Sequence, residues 1–406
     1  MASVRQETLA SAIQQIATIA KNCGLDPYPI HFELCPPQML YAYVARGLPG
    51  RYSHWSFGKT SHRLYHQHNR GLAKVYEWVI HANPSHAFLC NQNSLIQNKL
   101  IAAHVIAHSD FFRNNAHTSR TQFDPRHILD KISLHAGRIR KYERLHGELE
   151  VERWLDAVMS IKAHVAWENE SDLLLHIEKY SEDLSLWQRD ILRMVREETL
   201  YALPQLETNL MNEGWATYWH VRIMRNLDLT FRESVEFAKF HSEVMLRSTY
   251  PINPYLLGMR LFSEIERRFG LEALFEVRQL DSDRSFLRKY VTPEIVAELD
   301  LFLFEKKGTR WVITDKSWEH IRDHWVESCI RQGYPNLHVH HPGGATNRDL
   351  YLFHSYDGKE LDVQHLEQTL PAVFYLWRNP VHLETMVNHR KVLFSYNGFE
   401  HHRTFL

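Results

Sequence analysis

The chain has 406 residues, a formal net charge of -1, 44% hydrophobic and 23% charged residues. That is ordinary globular composition at a length that suggests roughly two domains, and it excludes a global electrostatic pull toward nucleic acid or an anionic membrane. A local basic run, Arg138, Arg140, Lys141 and Arg144, reads as a solvated helix face. Cys23, Cys35, Cys90 and Cys329 lie far apart with no Cys-x-x-Cys pair, so neither a zinc ribbon nor a thioredoxin-like site is indicated. Reduced thiols in the cytoplasm are expected. No stretch approaches about 18 uninterrupted apolar residues, so no membrane span is expected.

The opening residues form no continuous apolar run of the secretory type, because Gln14, Gln15 and Lys21 interrupt it. Leu9, Ile13 and Ile16, with Ile19 or Ala20, instead predict an amphipathic helix ended by Gly24. PYPIHFELCPP reads as a short strand. Residues 47 to 71 read as an irregular aromatic loop followed by a helix or ribbon, and strand-like runs follow at Val75 to Ile80 and Ala87 to Cys90. Asn93 or Ser94 suits the N-cap of a buried helix, SLIQNKLIAAHVIAHSDFFRNN. Further helices are predicted over Pro125 to Leu145, after Gly147, from Ser185 to Asn226, from Thr230 to Glu243, and over NPYLLGMRLFSEIERRFG. From Thr309 strands and helices alternate: RWVITD, SWEHIRDHWVESCIRQG, LHVHH, LYLFHSYDG, LDVQHLEQTLPAVFYLW, HLETMV and KVLFSYNG. The expected architecture is α+β, with a large mainly helical domain over 1–300 and a small α+β domain over 301–406.

Histidine is the compositional oddity, with 28 in the chain. His104 and His108 stand four apart on a predicted helix, so both side chains leave one face, one turn apart, and can share a metal ion. The segment MNEGWATYWH (211–220) resembles the NEGFASY segment of gluzincin aminopeptidases, which implies a zincin-like domain with Glu213 as third ligand. Two His and one Glu leave a fourth position open, the arrangement of a catalytic zinc site; iron or manganese also suit such donors. Two features depart from that pattern. Val105 follows His104 where a zincin carries its general-base Glu, and Glu213 lies 105 positions after His108. Substitute acid–base candidates are Asp110, turned away from His108 by about 200°, His220, two turns after Glu213, and Glu198 with its neighbour Glu197. His164 and Glu143 are candidate additional ligands, and convergence of several would make a dinuclear site. Arg51, His54, Trp55 and Lys59 of RYSHWSFGK combine charge with aromatic surface and are candidates to line a ligand cleft, or else pack as an ordered loop.

The strings GLDPYPIHFELCP, RYSHWSFGK, NSLIQNKLIAAHVIAHSDFFRNN, RIRKYERLHG with EVERWLDAV, MNEGWATYWH, INPYLLGMRLFSEIE, SFLRKYVT, HSYDGKELDVQHLEQTLP and LWRNPVHLET occur in an order that resembles the stage V sporulation protein R (SpoVR) family across nearly the whole chain. The resemblance implies a cytoplasmic protein involved in spore cortex formation or, more broadly, in envelope or stress physiology. It also implies a variable surface loop between His164 and Asp190, where this chain is short. Two readings follow: a metal-dependent hydrolase, or a regulatory scaffold whose metal pins distant helices and whose C-terminal module contacts a protein or small-molecule partner. A third is that the histidines only pack and hydrogen-bond in a polar core.

Overall fold

The computed structural model describes residues 2–47, 50–69, 77–120, 124, 126–167, 172–246, 253–308, 310–329, 334–340 and 348–406. Val75, Pro125 and His341, each at the end of an expected element, lie outside them. The first helix, α1 (Ala2–Asn22), is followed by Gly24 with a φ of +90°, a conformation glycine reaches without strain. Strand β1 (Ile30–Cys35), helices α2 (Pro37–Arg46) and α3 (Trp55–Asn69), and strands β2 (Glu77–Ile80) and β3 (Ser85–Cys90) follow. They include a three-stranded sheet in the order β1-β3-β2, with β3 parallel to β1 and antiparallel to β2.

Helix α4 (Leu95–Asn114) starts at a complete capping box. Ser94 Oγ accepts from Gln97 N at 3.2 Å, and the Gln97 side chain accepts from Ser94 N at 2.7 Å. Then come α5 (Ile128–His146), α6 (Glu148–Ile161), α7 (Leu173–Tyr180), α8 (Leu186–Glu207), α9 (Asn209–Arg225), α10 (Phe231–Val244), α11 (Pro254–Phe269), α12 (Leu271–Leu280), α13 (Asp283–Tyr290) and α14 (Pro293–Glu298). The loop expected between His164 and Asp190 is largely replaced by α7 and the start of α8; α7 buries Leu173, Leu174 and Ile177, which a surface loop would not do. The last elements are β4 (Leu303–Lys307), β5 (Arg310–Asp315), α15 (Trp318–Ser328), β6 (Leu337–Val339), β7 (Leu350–His354), α16 (Val363–Trp377), β8 (Val381–Val387), β9 (Arg390–Tyr396) and β10 (His401–Phe405). The fold is α+β and mostly helical. No helix among the described residues is long and apolar enough to cross a membrane.

The chain divides into two compact units, each built from two chain segments: 1–131 with 204–330, and 132–203 with 331–406. The boundary expected at 300 therefore falls inside the first unit. Helix α15 belongs there because Ile321, Trp325 and Val326 join that unit's apolar core. A change of local texture marks where strands begin, whereas domain division follows from which faces are buried together.

In the first unit the core is a stack of α4, α9 and α11. It packs Ala103 and Ala107 of α4, Trp215 and Trp219 of α9, and Leu261 and Phe262 of α11, with Phe286 of α13 against them. Two glycines set the spacing of α9 and α11. A Cβ on Gly214 would lie 2.4 Å from backbone atoms of Gly258, and one on Gly258 would lie 2.6 Å from Gly214 Cα. The second unit carries a five-stranded sheet in the order β10-β9-β8-β7-β6, in which only β7 and β8 run parallel. The connection between them is α16, as a parallel pair requires. Trp154 of α6 is fully buried in this unit and donates through Nε1 to Gln188 O at 3.1 Å.

Because backbone rather than a movable side chain faces Gly214, Gly214→Ala must separate two helices. The expected loss of stability is about 3 kcal/mol, read as a shift in the urea midpoint at unchanged slope.

Candidate metal centre

Helices α4 and α9 cross so that His104, His108 and Glu213 meet, and their ligand atoms all lie within 4.8 Å of one another. Glu213 Oε2 is 3.4 Å from His104 Nε2 and 3.5 Å from His108 Nε2. These separations exceed the ~2.7–2.9 Å of charge-assisted hydrogen bonds. They match the roughly 3.3–3.4 Å between two ligands of one tetrahedral ion at ~2.0–2.1 Å from each. Glu213 Oε2 is buried and has no hydrogen-bond partner among the described residues. An orphaned buried carboxylate oxygen facing two imidazole nitrogens is a donor set that fits a divalent cation.

The outer nitrogens of both imidazoles are engaged. His108 Nδ1 is 2.9 Å from Asn212 Oδ1, which can only accept, so Nδ1 carries the proton and Nε2 the free lone pair. His104 Nδ1 is 3.0 Å from His220 Nδ1, and His220 Nε2 is 3.2 Å from His241 Nδ1. Two tautomer patterns satisfy this chain of rings, and the one that frees His104 Nε2 for a metal has His104 donating to His220 and His220 donating to His241. Burial holds His108 down at about 4, helped by the neighbouring His104, and burial likewise holds His220 well below the usual histidine range. Both are neutral at pH 7, the form in which imidazole binds metal. Glu213 is pushed up by burial, but His108, His104 and a hydrogen bond from Tyr255 outweigh this and leave it below the usual range.

Glu213 is free for this role because another carboxylate serves the start of α9. Asp283 accepts from Leu210 N and Met211 N, each at 2.8 Å. The residue after His104 is apolar for a comparable reason. Val105 is fully buried in a cluster with Leu89, Ile96, Ile101 and Met224, where a glutamate would lack partners.

A cavity of about 320 Å³ opens beside the cluster, lined in part by His104, His220, Tyr255 and Glu77. Burial raises Glu77, with the nearby His104 opposing and Glu213 adding to the rise. His81 stacks on Phe112 at 4.9 Å and faces His108 with ring centroids 6.0 Å apart. Glu77, His81, His241 and Tyr255 were not singled out from the sequence. Only Tyr255 sits in a string, INPYLLGMRLFSEIE, that carries a recognisable pattern.

The other candidates lie elsewhere. Asp110 is fully buried and locked by Arg278 Nη1, 2.8 Å from each of its oxygens, with Trp215 Nε1 at 2.9 Å and Asp26 N at 2.7 Å. Its carboxylate is therefore structural. Glu198, His164 and Glu143 belong to the second unit and are not members of the three-residue cluster. There, Glu198 Oε1 and Glu197 Oε2 flank His135 at 3.3 and 3.4 Å. Of the RYSHWSFGK set, the Arg51 guanidinium sits 4.8 Å from the Phe57 ring centre, Lys59 Nζ lies 5.8 Å from that of Trp55, and His54 Nδ1 meets Ser56 Oγ at 2.6 Å. These groups pack on one another, and none lines the cavity beside the cluster.

Fold and site together define a two-unit α+β protein with a buried imidazole–imidazole–carboxylate cluster between two core helices. The chain belongs to the SpoVR family: the family described as SpoVR like protein matches residues 3–170 and 163–333. The uncharacterized protein YcgB of Escherichia coli (strain K12) is similar to it, 30% identical with 71% of this chain and 73% of that protein covered. No solved structure matches the chain.

The unfolded chain takes up the His108 proton near pH 6.5, the folded chain only near 4. The unfolded state therefore gains protons first as pH falls, and stability held above pH 6.5 is lost on the way to 4. In metal-free protein, His108 should account for a loss of about 2 kcal/mol between pH 7 and pH 5. The check is the urea midpoint at both pH values for wild type and His108→Gln, which should lack that share.

Proposed function

We propose that this SpoVR-family protein is a metal-dependent hydrolase-type enzyme whose divalent ion, zinc first and iron or manganese next, is held by His104, His108 and Glu213. The observation that carries the reading is Glu213 Oε2, buried without a hydrogen-bond partner among the described residues and equidistant within 0.1 Å from two imidazole nitrogens at 3.4 and 3.5 Å. The likeness of MNEGWATYWH to the gluzincin segment supports the same three residues. An ion there supplies Lewis acidity.

The chain's own groups serve the rest. Glu77, raised by burial at the cavity wall, is the carboxylate available to accept a proton in place of the base that Val105 does not supply. Tyr255, held protonated by burial, donates its hydroxyl hydrogen bond to Glu213 at the cavity wall. Asn212 fixes the tautomer of His108, and His220 orients the ring of His104. An amide substrate, such as a cell-wall precursor in the cytoplasm, agrees with the spore-cortex and envelope role that the family resemblance implies.

A second reading, a regulatory scaffold with a structural metal, draws support from Val105, since α4 carries no general base next to His104. Elemental analysis of protein purified without added metal separates these readings from a metal-free one. Near-stoichiometric divalent metal is expected, lost in His108→Ala. Unchanged metal in a protein carrying both His104→Ala and Glu213→Ala would sink both metal readings. Peptide or amide cleavage abolished by a chelator and restored by zinc selects the enzyme, and metal without turnover selects the scaffold. Asn212→Ala should weaken metal affinity about 10–100-fold, measured by competition with a chromophoric chelator.

A further inference from the structure

The cavity beside the cluster has a lining with a definite chemical bias. Its walls include the apolar side chains of Leu100, Ile101, Phe240 and Val244, and two carboxylates, Glu77 and Glu243. Among the described residues no Lys or Arg lines it, and neither carboxylate forms an ion pair with a Lys or Arg. Elsewhere in this unit acidic groups near helix ends are matched: Lys99 meets Glu233 at 2.8 Å, and Arg260 meets Glu298 at 2.7 Å. Two carboxylates facing one largely apolar cavity with no Lys or Arg on its described walls, where the only other ionisable groups are the imidazoles of His104 and His220 and the Tyr255 hydroxyl, make a poor site for an anion and a complementary one for a cation. The volume, about 320 Å³, is at the small end for ligand pockets, so the occupant is a compact molecule.

Helix α10 forms one wall of this cavity. It has no fully buried residue and is held at its edges by polar contacts: Ser94 Oγ to Glu236 at 2.5 Å, Lys99 to Glu233, and His241 to His220. Asn253 joins the end of α10 to the start of α11. Its Nδ2 donates to Val244 O at 2.7 Å, and its Oδ1 accepts from Tyr255 N at 2.9 Å. The wall bearing Phe240, Glu243 and Val244 is thereby tied to the residue that hydrogen-bonds Glu213. Apolar contact, negative charge and the His104 edge of the cluster bound one half-open space.

We propose that this cavity takes a small ligand with a protonated amine on an apolar body, the ammonium lying between Glu77 and Glu243 and the body against Leu100, Ile101, Phe240 and Val244. The inference rests on the reading of this cavity as the ligand side of the His104–His108–Glu213 site, yet it is tested on protein stripped of metal, so the two can fail separately.

The probes are 3-phenylpropylamine, 3-phenylpropan-1-ol and 3-phenylpropanoate, equal in body and different in charge, titrated by ligand-observed NMR into the full chain after chelator treatment. The amine should bind about tenfold more tightly than either isostere. Glu243→Gln, at an exposed position that leaves folding intact, should remove most of that preference, and Glu77→Gln should do the same with metal content unchanged. Equal or tighter binding of the alcohol or the carboxylate, absence of binding by all three, or an amine affinity untouched by Glu243→Gln overturns the proposal. Metal retention without amine selectivity defeats this inference alone. Amine selectivity in a chain that never holds metal leaves it standing and defeats the metal reading.

Discussion

The backbone of α9 touches the backbone of α11 at Gly214 and Gly258, and the site depends on that contact. Gly214 follows Glu213 directly, and Tyr255, which hydrogen-bonds Glu213, lies one turn before Gly258 on the partner helix. A side chain at either glycine would push Tyr255 away from the carboxylate it holds. Three consecutive residues thus face three ways: Asn212 to the His108 ring, Glu213 to both imidazoles, and Gly214 to the neighbouring helix. The glycine in this short motif is there for packing, and its effect on chemistry is indirect.

Buried polar groups in the first unit are sorted into separate accounts. Asp110 is spent on Arg278, Trp215 and the backbone of Asp26, and Asp283 on the first amides of α9. Such groups are costly to bury unless paired. With those carboxylates committed to structure, Glu213 is the carboxylate left between the inner nitrogens of His104 and His108. The rings of His104, His220 and His241 form one hydrogen-bonded chain that orients the inner edge of His104 toward Glu213.

Much of the fold was legible locally. Ser94 and Gln97 announce the start of α4, Gly24 the end of α1, and the alternation of apolar residues in IHFELC the strand β1. What failed was either short or non-local. HHRTF forms β10, yet all five residues are exposed and no apolar alternation marks them. Helix α7 was hidden in a stretch read as a loop because its eight residues give too short a pattern for helical periodicity. The division into units was invisible because each is discontinuous, and no local signal says that α15, beyond the first strands of the expected C-terminal module, packs back on α13 and α14 and joins the core of the first unit. In the site, the spacing of His104 and His108 gave a shared face, and MNEG drew attention to Glu213. Glu77 and His241 carry no comparable mark: a lone glutamate on a short strand and a histidine on a polar helix acquire meaning only when β2 and α10 fold against α4.

The discontinuity of the first unit bears on the order of events during synthesis. Its two segments are separated by residues 132–203, all of which belong to the other unit. At elongation rates of about 5–20 residues per second, the helix with both imidazoles emerges several seconds before α9 exists. In that interval α4, apolar around most of its circumference, has α1 and β3 to pack on but lacks α9, α11 and Glu213. The nascent chain must keep this helix from wrong associations until the second segment arrives, so its vulnerable moment falls mid-translation, while residues 132–203 are being made.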